Sequence, residues 1–145
     1  MSFKRILCGV DFSQESVRAF HVAVELARQS KASMHLLHIV EAQPVVHGWL
    51  PLGGLSEMIL ALEEKAEAAM QSLLESSGKE LAGLAITTEI DNGRAFVEIL
   101  NRAREWKADL IVVGAKGAAS LEEIIAGGTA EHVVRAASCS ALVVR

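Results

Sequence analysis

Five short apolar runs punctuate this chain, and stretches of helical period separate them. The runs are Arg5 to Val10, Met34 to Val40, Leu84 to Ile90, Asp109 to Val113 and Ala141 to Val144. Each has the length of a strand and is apolar on both of its alternating faces. A strand of that kind must be covered on both sides, which points to a parallel sheet sandwiched between helices.

The intervening segments fit this plan. Ser13 is a good N-cap, Glu15 falls in the first turn, and Val17, Phe20, Val24 and Ala27 follow at helical spacing. Residues 42–55 hold Pro44, Pro51, Gly48, Gly53, Gly54 and Trp49 and read as a long loop. Ser56 then caps a helix with Ile59, Leu62, Ala66, Met70 and Leu73 inward and Glu63, Glu64, Glu67 and Glu75 outward. Gly78 closes it, with a polar connection to Gly83. Thr87 and Thr88 support the third strand, and Asp91-Asn92-Gly93 reads as a turn. Phe96, Ile99, Leu100, Ala103 and Trp106 mark the next helix; Val133, Val134 and Ala137 mark a last, short one. The resulting pattern is βαβαβαβαβ, with right-handed crossovers expected throughout.

Composition agrees with one α/β domain over residues 1–145. With 145 residues, 51% of them hydrophobic, the chain can form a core without metals or disulfides. That content also excludes disorder. A net charge of −4 gives no long-range attraction to nucleic acid or anionic lipid, and two Trp, four Phe and no Tyr leave little to stack on bases. No run approaches the ~18 apolar residues of a membrane span. The segment Met1-Ser2-Phe3-Lys4-Arg5 leads into a strand, not a signal peptide. Cys8 and Cys139 make neither a disulfide framework nor a CxxC pair, so a reducing, cytoplasmic location is expected.

Open α/β sheets bind ligands beyond the carboxyl ends of their strands. The residues there are Asp11, Ile39 and Val40, Gly93, and the segment from Gly114. This last segment stands out, because it runs to Gly128 where ordinary βα loops take roughly 2–6 residues. Gly114, Gly117, Gly127 and Gly128 mark its ends, and Lys116 supplies a cation. Glycine lets a ligand approach the backbone, and Gly127-Gly128-Thr129 stands at a helix N-terminus, where unpaired amides favour anions. Together these features would cradle a polyphosphate. The alternative is a surface loop whose glycines only make turns.

Neither GxxxxGK[ST] nor a GxGxxG after the first strand is present. What is present is Gly114-x2-Gly117-x9-Gly127, which closely resembles the phosphate-binding motif of the ATP-binding branch of the universal stress protein family. The resemblance extends along the chain. It takes in Val10-Asp11-Phe12-Ser13, Leu37-His38-Ile39-Val40, Ala108 to Gly114, Thr129 to Arg135, and Ala141 to Arg145.

That resemblance implies an open five-stranded parallel sheet of order 3-2-1-4-5, a Rossmann-like plan of the adenine nucleotide alpha hydrolase type. It also implies a site for ATP, alone or with Mg2+. Asp11 would bond the ribose or adenine region and Ile39 would contact the adenine. Gly114, Lys116 and Gly117 would contact the ribose and α/β-phosphates. Gly127, Gly128, Thr129 and Ala130 would hold the β- and γ-phosphates. One departure matters: the family has Ser or Thr where this chain has Gly128. Losing that hydroxyl removes a charged hydrogen bond of ~1.5–3 kcal/mol, or ~10- to 100-fold in affinity. Thr129 is placed to compensate if the loop shifts.

Other constellations are weaker. Asp11 also reads as a simple cap for the following turn. A phospho-acceptor receiver would need an adjacent acidic pair and a Lys after the last strand, and neither is present. His35 and His38 point to opposite faces of a strand and have no metal-ligand spacing. The family's strand order separates Cys8 from Cys139, which reads them as two buried thiols. Lys79-Glu80 is a solvated pair. Ser120, Ser138 and Ser140 have no base at an evident spacing, so no catalytic residue is assigned. Relatives resembling this chain are known to transfer phosphate to an internal Ser or Thr.

In this family the last strand, with Leu142, Val143 and Val144, commonly pairs two copies. The alternative is a monomer edge blunted by Arg145. The expectation is therefore a cytosolic, homodimeric, ATP-binding stress-response regulator with regulatory protein partners. The alternatives are a nucleotide-free interaction module and a slow ATPase or autokinase.

Overall fold

The computed structural model describes residues 2–41, 52–115 and 128–145. The chain runs β1 (Arg5–Gly9), α1 (Gln14–Ser30), β2 (Ser33–Val40), α2 (Leu52–Ser76), α3 (Gly78–Leu81), β3 (Ala85–Asn92), α4 (Ala95–Trp106), β4 (Leu110–Gly114), α5 (Thr129–Ala136) and β5 (Ser140–Val144). The five strands form one sheet in the order β3-β2-β1-β4-β5. All neighbours are parallel, with Cys8 level with Leu36 on one side and Val112 on the other. This is the architecture the apolar runs and the family resemblance imply.

Strand alternation splits the core into two layers. Ile6, Cys8, Met34, Leu36, Leu110 and Val112 turn to one face and pack against Ala19, Phe20 and Ala23 of α1 and Met70 of α2. Leu7, Leu37, Ile39, Ile111 and Val113 turn to the other, against Ile99 and Ala103 of α4 and Val133 of α5. Ile6, Leu7, Cys8, Ile111 and Val112 are wholly inaccessible, as residues covered on both sides must be.

Local chemistry sets the ends of the helices. Ser13 caps α1 and its hydroxyl accepts from the Ser16 amide. Helices α1 and α4 end on Lys31 and Lys107, both left-handed, whose amides bond back to the last turn. The turns after them deliver the chain to β2 and β4. Asp109 accepts from the amides of Lys4 and Arg5 at 2.7 and 3.0 Å, which sets the start of β1 beside that of β4.

Several expectations need correction. Helix α2 begins at Leu52, so Ser56 lies inside it and does not cap it. Pro51, a residue type suited to helix starts, immediately precedes it in sequence. Gly78 does not close α2; it opens the four-residue α3. Strand β3 extends through Asp91 and Asn92, level with Ile39 and Val40, and only Gly93, at φ 140°, makes the turn. Cys8 is buried but Cys139 is only half-buried, and both are free thiols. Burial pushes the Cys8 thiol up to about 12.

His35 and His38 do face opposite ways. On the α4 side, His35 Nε2–H donates to Glu89 at 2.9 Å and its Nδ1 meets the Thr87 hydroxyl at 2.6 Å. Arg102 of α4 bonds the second Glu89 oxygen at 2.8 Å and also Asp91. Burial alone would raise the Glu89 carboxyl, but the bonds from Arg102 and His35 and their charges hold it below its ordinary value.

Candidate functional site

A cleft of about 740 Å³ opens beyond the carboxyl ends of β1, β2 and β4. That volume is within the range of small-molecule sites. The segment after β1 contributes Asp11 and Phe12, the end of β2 and the residue after it contribute Ile39 and Glu41, and the end of β4 and the residue after it contribute Gly114 and Ala115. The first turn of α5 supplies Gly128, Thr129, Ala130 and Glu131, and α2 supplies Lys65 and Ala69.

Each wall is held by identifiable bonds. The Asp11 carboxylate accepts from the amide and the hydroxyl of Ser13, and the Asp11 amide donates to the buried Ser16 hydroxyl at 3.2 Å. This confirms the capping role read for Asp11 and fixes its place on the cleft wall. Phe12 sits at φ 65°, a left-handed conformation unusual for a bulky residue, and its ring lies 4.8 Å from that of His38. His38 lines the cleft, and its Nδ1–H donates to the Val10 carbonyl at 2.7 Å.

Glu41 spans from the end of β2 to the start of α4, where its carboxylate accepts from the Ala95 amide at 2.6 Å. The N-cap residue of α4, Arg94, makes no side-chain cap of its own. A carboxylate at that helix end is favourable for both hydrogen bonding and the helix dipole. At α5 the N-cap is Gly128, which has no side chain to bond the first-turn amides. Among the described residues, the N-terminus of α5 therefore borders the cleft without a capping side chain.

Charge is distributed unevenly around the rim. Asp11 is engaged by Ser13, Glu41 by Ala95, and Glu131 by Arg135 at 2.8 Å. Lys65 adds a cation from α2. A neutral, hydrogen-bonding group suits the Asp11 and Glu41 side, and an anion suits the α5 end. Among the described residues, no group of three His, Cys, Asp or Glu is placed to hold a metal ion.

The structure brings together Asp11, Ile39, Gly114, Gly128, Thr129 and Ala130 from the residues selected on sequence. Lys116, Gly117 and Gly127 lie outside the described residues, as do Trp49 and Ser120. Phe12, His38, Glu41 and Lys65 line the same cleft and were not selected. Glu41 carried no local signal, because its partner is 54 positions away.

The model of the universal stress protein family matches residues 2–145. The chain belongs to the universal stress protein family. One relative, the universal stress protein MJ0531 of Methanocaldococcus jannaschii, is 34% identical over 144 residues, covering 99% of this chain and 82% of its own. The solved structure of universal stress protein UspA from Lactobacillus plantarum superposes with a TM-score of 0.84 at 29% identity, covering 100% of this chain and 99% of that one. A universal stress protein from Archaeoglobus fulgidus, solved in complex with dAMP, shares the fold with a TM-score of 0.65 at 20% identity, covering 100% of both chains. Among the described residues, no helix is long and apolar enough to cross a membrane.

Proposed function

We propose that this universal stress protein binds an adenine nucleotide in the cleft, with ATP as its ligand, alone or with Mg2+. The observation that carries the reading is the N-terminus of α5, whose N-cap Gly128 has no side chain to bond its first amides and which borders the same cleft as Asp11 and Ile39. One end of that cleft suits an anion and the other suits a base and ribose. The dAMP complex of the Archaeoglobus fulgidus relative supports the choice of ligand class.

In this reading Ile39 packs on the base and Asp11 accepts from a ribose hydroxyl. Gly114 lets the sugar approach β4. The amides around Gly128, Thr129 and Ala130 meet phosphate oxygens, with Lys116, Gly117 and Gly127 completing the phosphate cradle. Lys65 adds a second cation from α2. The protein acts as a cytosolic regulator: bound nucleotide favours one arrangement of the surface around the cleft, and partner proteins distinguish that arrangement from the empty one. A homodimer forms along β5, an edge strand on which Leu142 is 36% exposed.

Denaturing the purified protein and identifying released nucleotide tests the reading directly, together with calorimetric titration of Mg-ATP. Copurified ATP or a saturable heat supports it. Neither, at millimolar ligand, refutes it. That result would favour a nucleotide-free interaction module, for which Gly128, lacking the family's hydroxyl, is the one feature in evidence. Phosphate release above the background of an Asp11→Ala control would add slow turnover to binding.

A further inference from the structure

We infer that His132 is a positioning residue for the phosphate end of the cleft; the inference rests on the nucleotide reading above. His132 Nδ1 lies 3.0 Å from the Gly128 carbonyl oxygen. A carbonyl only accepts, so Nδ1 carries the proton and the ring is held in that tautomer. The backbone amide of His132 reaches the same oxygen at 3.3 Å. One carbonyl thus receives two donors from one residue.

The ring cannot easily turn away. It is stacked on Phe96 of α4, with centroids 4.2 Å apart and planes 19° apart. The Arg94 guanidinium lies against that same Phe96 ring, 5.2 Å from its centre. Helix α4 therefore fixes the imidazole, and the imidazole fixes the carbonyl.

The consequence follows from peptide geometry. The Gly128 carbonyl and the Thr129 N–H belong to one trans peptide and point in opposite directions. Holding the carbonyl back along α5 aims the Thr129 N–H out of the helix end, toward the cleft that Gly128 and Thr129 border. Glycine is the N-cap least able to hold its own orientation, since it has no side chain and the widest conformational freedom. The double hold from His132 supplies that missing restraint. Its role is to orient a phosphate-binding amide without itself touching phosphate.

The test measures ATP and adenosine binding to wild type, His132→Ala and His132→Asn by NMR titration. Asn places an amide N–H where Nδ1 stands but removes the ring, so it separates the hydrogen bond from the stacking. The expected result is about tenfold weaker ATP binding in His132→Ala, recovery in His132→Asn, and adenosine binding unchanged in both. Wild-type binding with His132→Ala equal to it overturns the inference alone. So does equal loss of ATP in both variants, or parallel loss of ATP and adenosine, since either result reduces His132 to packing. Wild-type protein that binds neither ligand refutes the nucleotide reading and this inference with it.

Discussion

Gly114, the last residue of β4, lies so close to α1 that a Cβ placed on it would stand 2.7 Å from the Ser16 amide nitrogen. The Glu15 carbonyl carbon would be 2.8 Å away and the Ser16 Cα 3.0 Å. These are backbone atoms in the first turn of a helix, which cannot step aside as a side-chain tip can. Glycine here serves the approach of α1 to the sheet.

Gly114→Ala should therefore destabilise the fold by about 1–3 kcal/mol through overpacking. Urea denaturation checks this: the midpoint should fall with an unchanged slope. Because α1 must move away from β4, the cleft wall at Asp11 moves with it, and under the proposed function nucleotide affinity should drop as well. A stable Gly114→Ala variant with unaltered midpoint would mean that the close contact relaxes at no cost.

Gly128 presents the opposite case. A Cβ there meets nothing within 4 Å among the described residues, and φ is −76°, which any residue adopts. Gly128→Ser should fit, cap α5 with its hydroxyl, and add a few tenths of a kcal/mol of stability. If the cleft takes phosphate, the same hydroxyl should tighten ATP binding up to about tenfold. Thermal melts and titration calorimetry on the pair of proteins give both numbers. Unchanged affinity with raised stability would show that the cap faces the helix and not the ligand.

Asp11 is a cap by its bonds to Ser13 and a ligand contact only in the proposed function, and substitutions can separate the two. Asn retains an oxygen for the Ser13 amide and hydroxyl; Ala does not. Asp11→Ala should lose about 1 kcal/mol through the weakened start of α1, whereas Asp11→Asn should melt close to wild type. A ribose bond to the carboxylate predicts weaker nucleotide binding in Asp11→Asn despite its stability. Equal binding in wild type and Asp11→Asn would leave Asp11 as a cap only.

The two thiols should differ in reactivity. Cys8 is wholly buried in β1, and with its ionisation displaced to about 12 it has almost no thiolate at neutral pH. Cys139 is half-buried; burial and the Asp109 charge raise it too. A thiol-reactive disulfide reagent at pH 8 should modify Cys139 slowly and Cys8 only after denaturation. Rapid modification of Cys8 in the folded protein would show that β1 opens far more readily than its packing suggests.

The strands were legible because burial on both faces writes itself into consecutive residues: Ile6-Leu7-Cys8 and Ile111-Val112-Val113 have no polar position to confuse the reading. Strand β3 was harder to delimit. It is an edge strand with polar Glu89 and Asp91 engaged by Arg102, so its last residues look like a turn. The lining of the candidate cleft was legible where a single segment carries it, as at Gly128-Thr129-Ala130. It was not legible where the partner is remote. Glu41 reaching Ala95, and His38 held by Val10, are contacts that only the parallel register creates. His132 falls between these cases: its bond to Gly128 is local, but its stacking on Phe96 requires α4 and α5 to be neighbours.

Arg102 is the hub of an acidic cluster, which makes its removal pH-dependent in a definite direction. Besides Glu89 and Asp91 it faces Glu98 at 3.8 Å and Glu105 at 3.3 Å. The folded Glu89 carboxyl sits below its ordinary 4.5, so the unfolded chain takes up that proton first as pH falls. The stability it contributes is complete above about 4.5 and is lost as pH drops through the lower folded value. Arg102→Met leaves the four carboxylates without their shared cation. It should cost most at pH 7, where Glu89 is ionised, and progressively less as Glu89 is protonated. Urea midpoints of wild type and Arg102→Met at pH 7, 5, 4 and 3 should therefore converge toward acid. A gap that stays constant across that series would assign the cost to lost packing of the Arg102 stem against α4 and β3, not to charge.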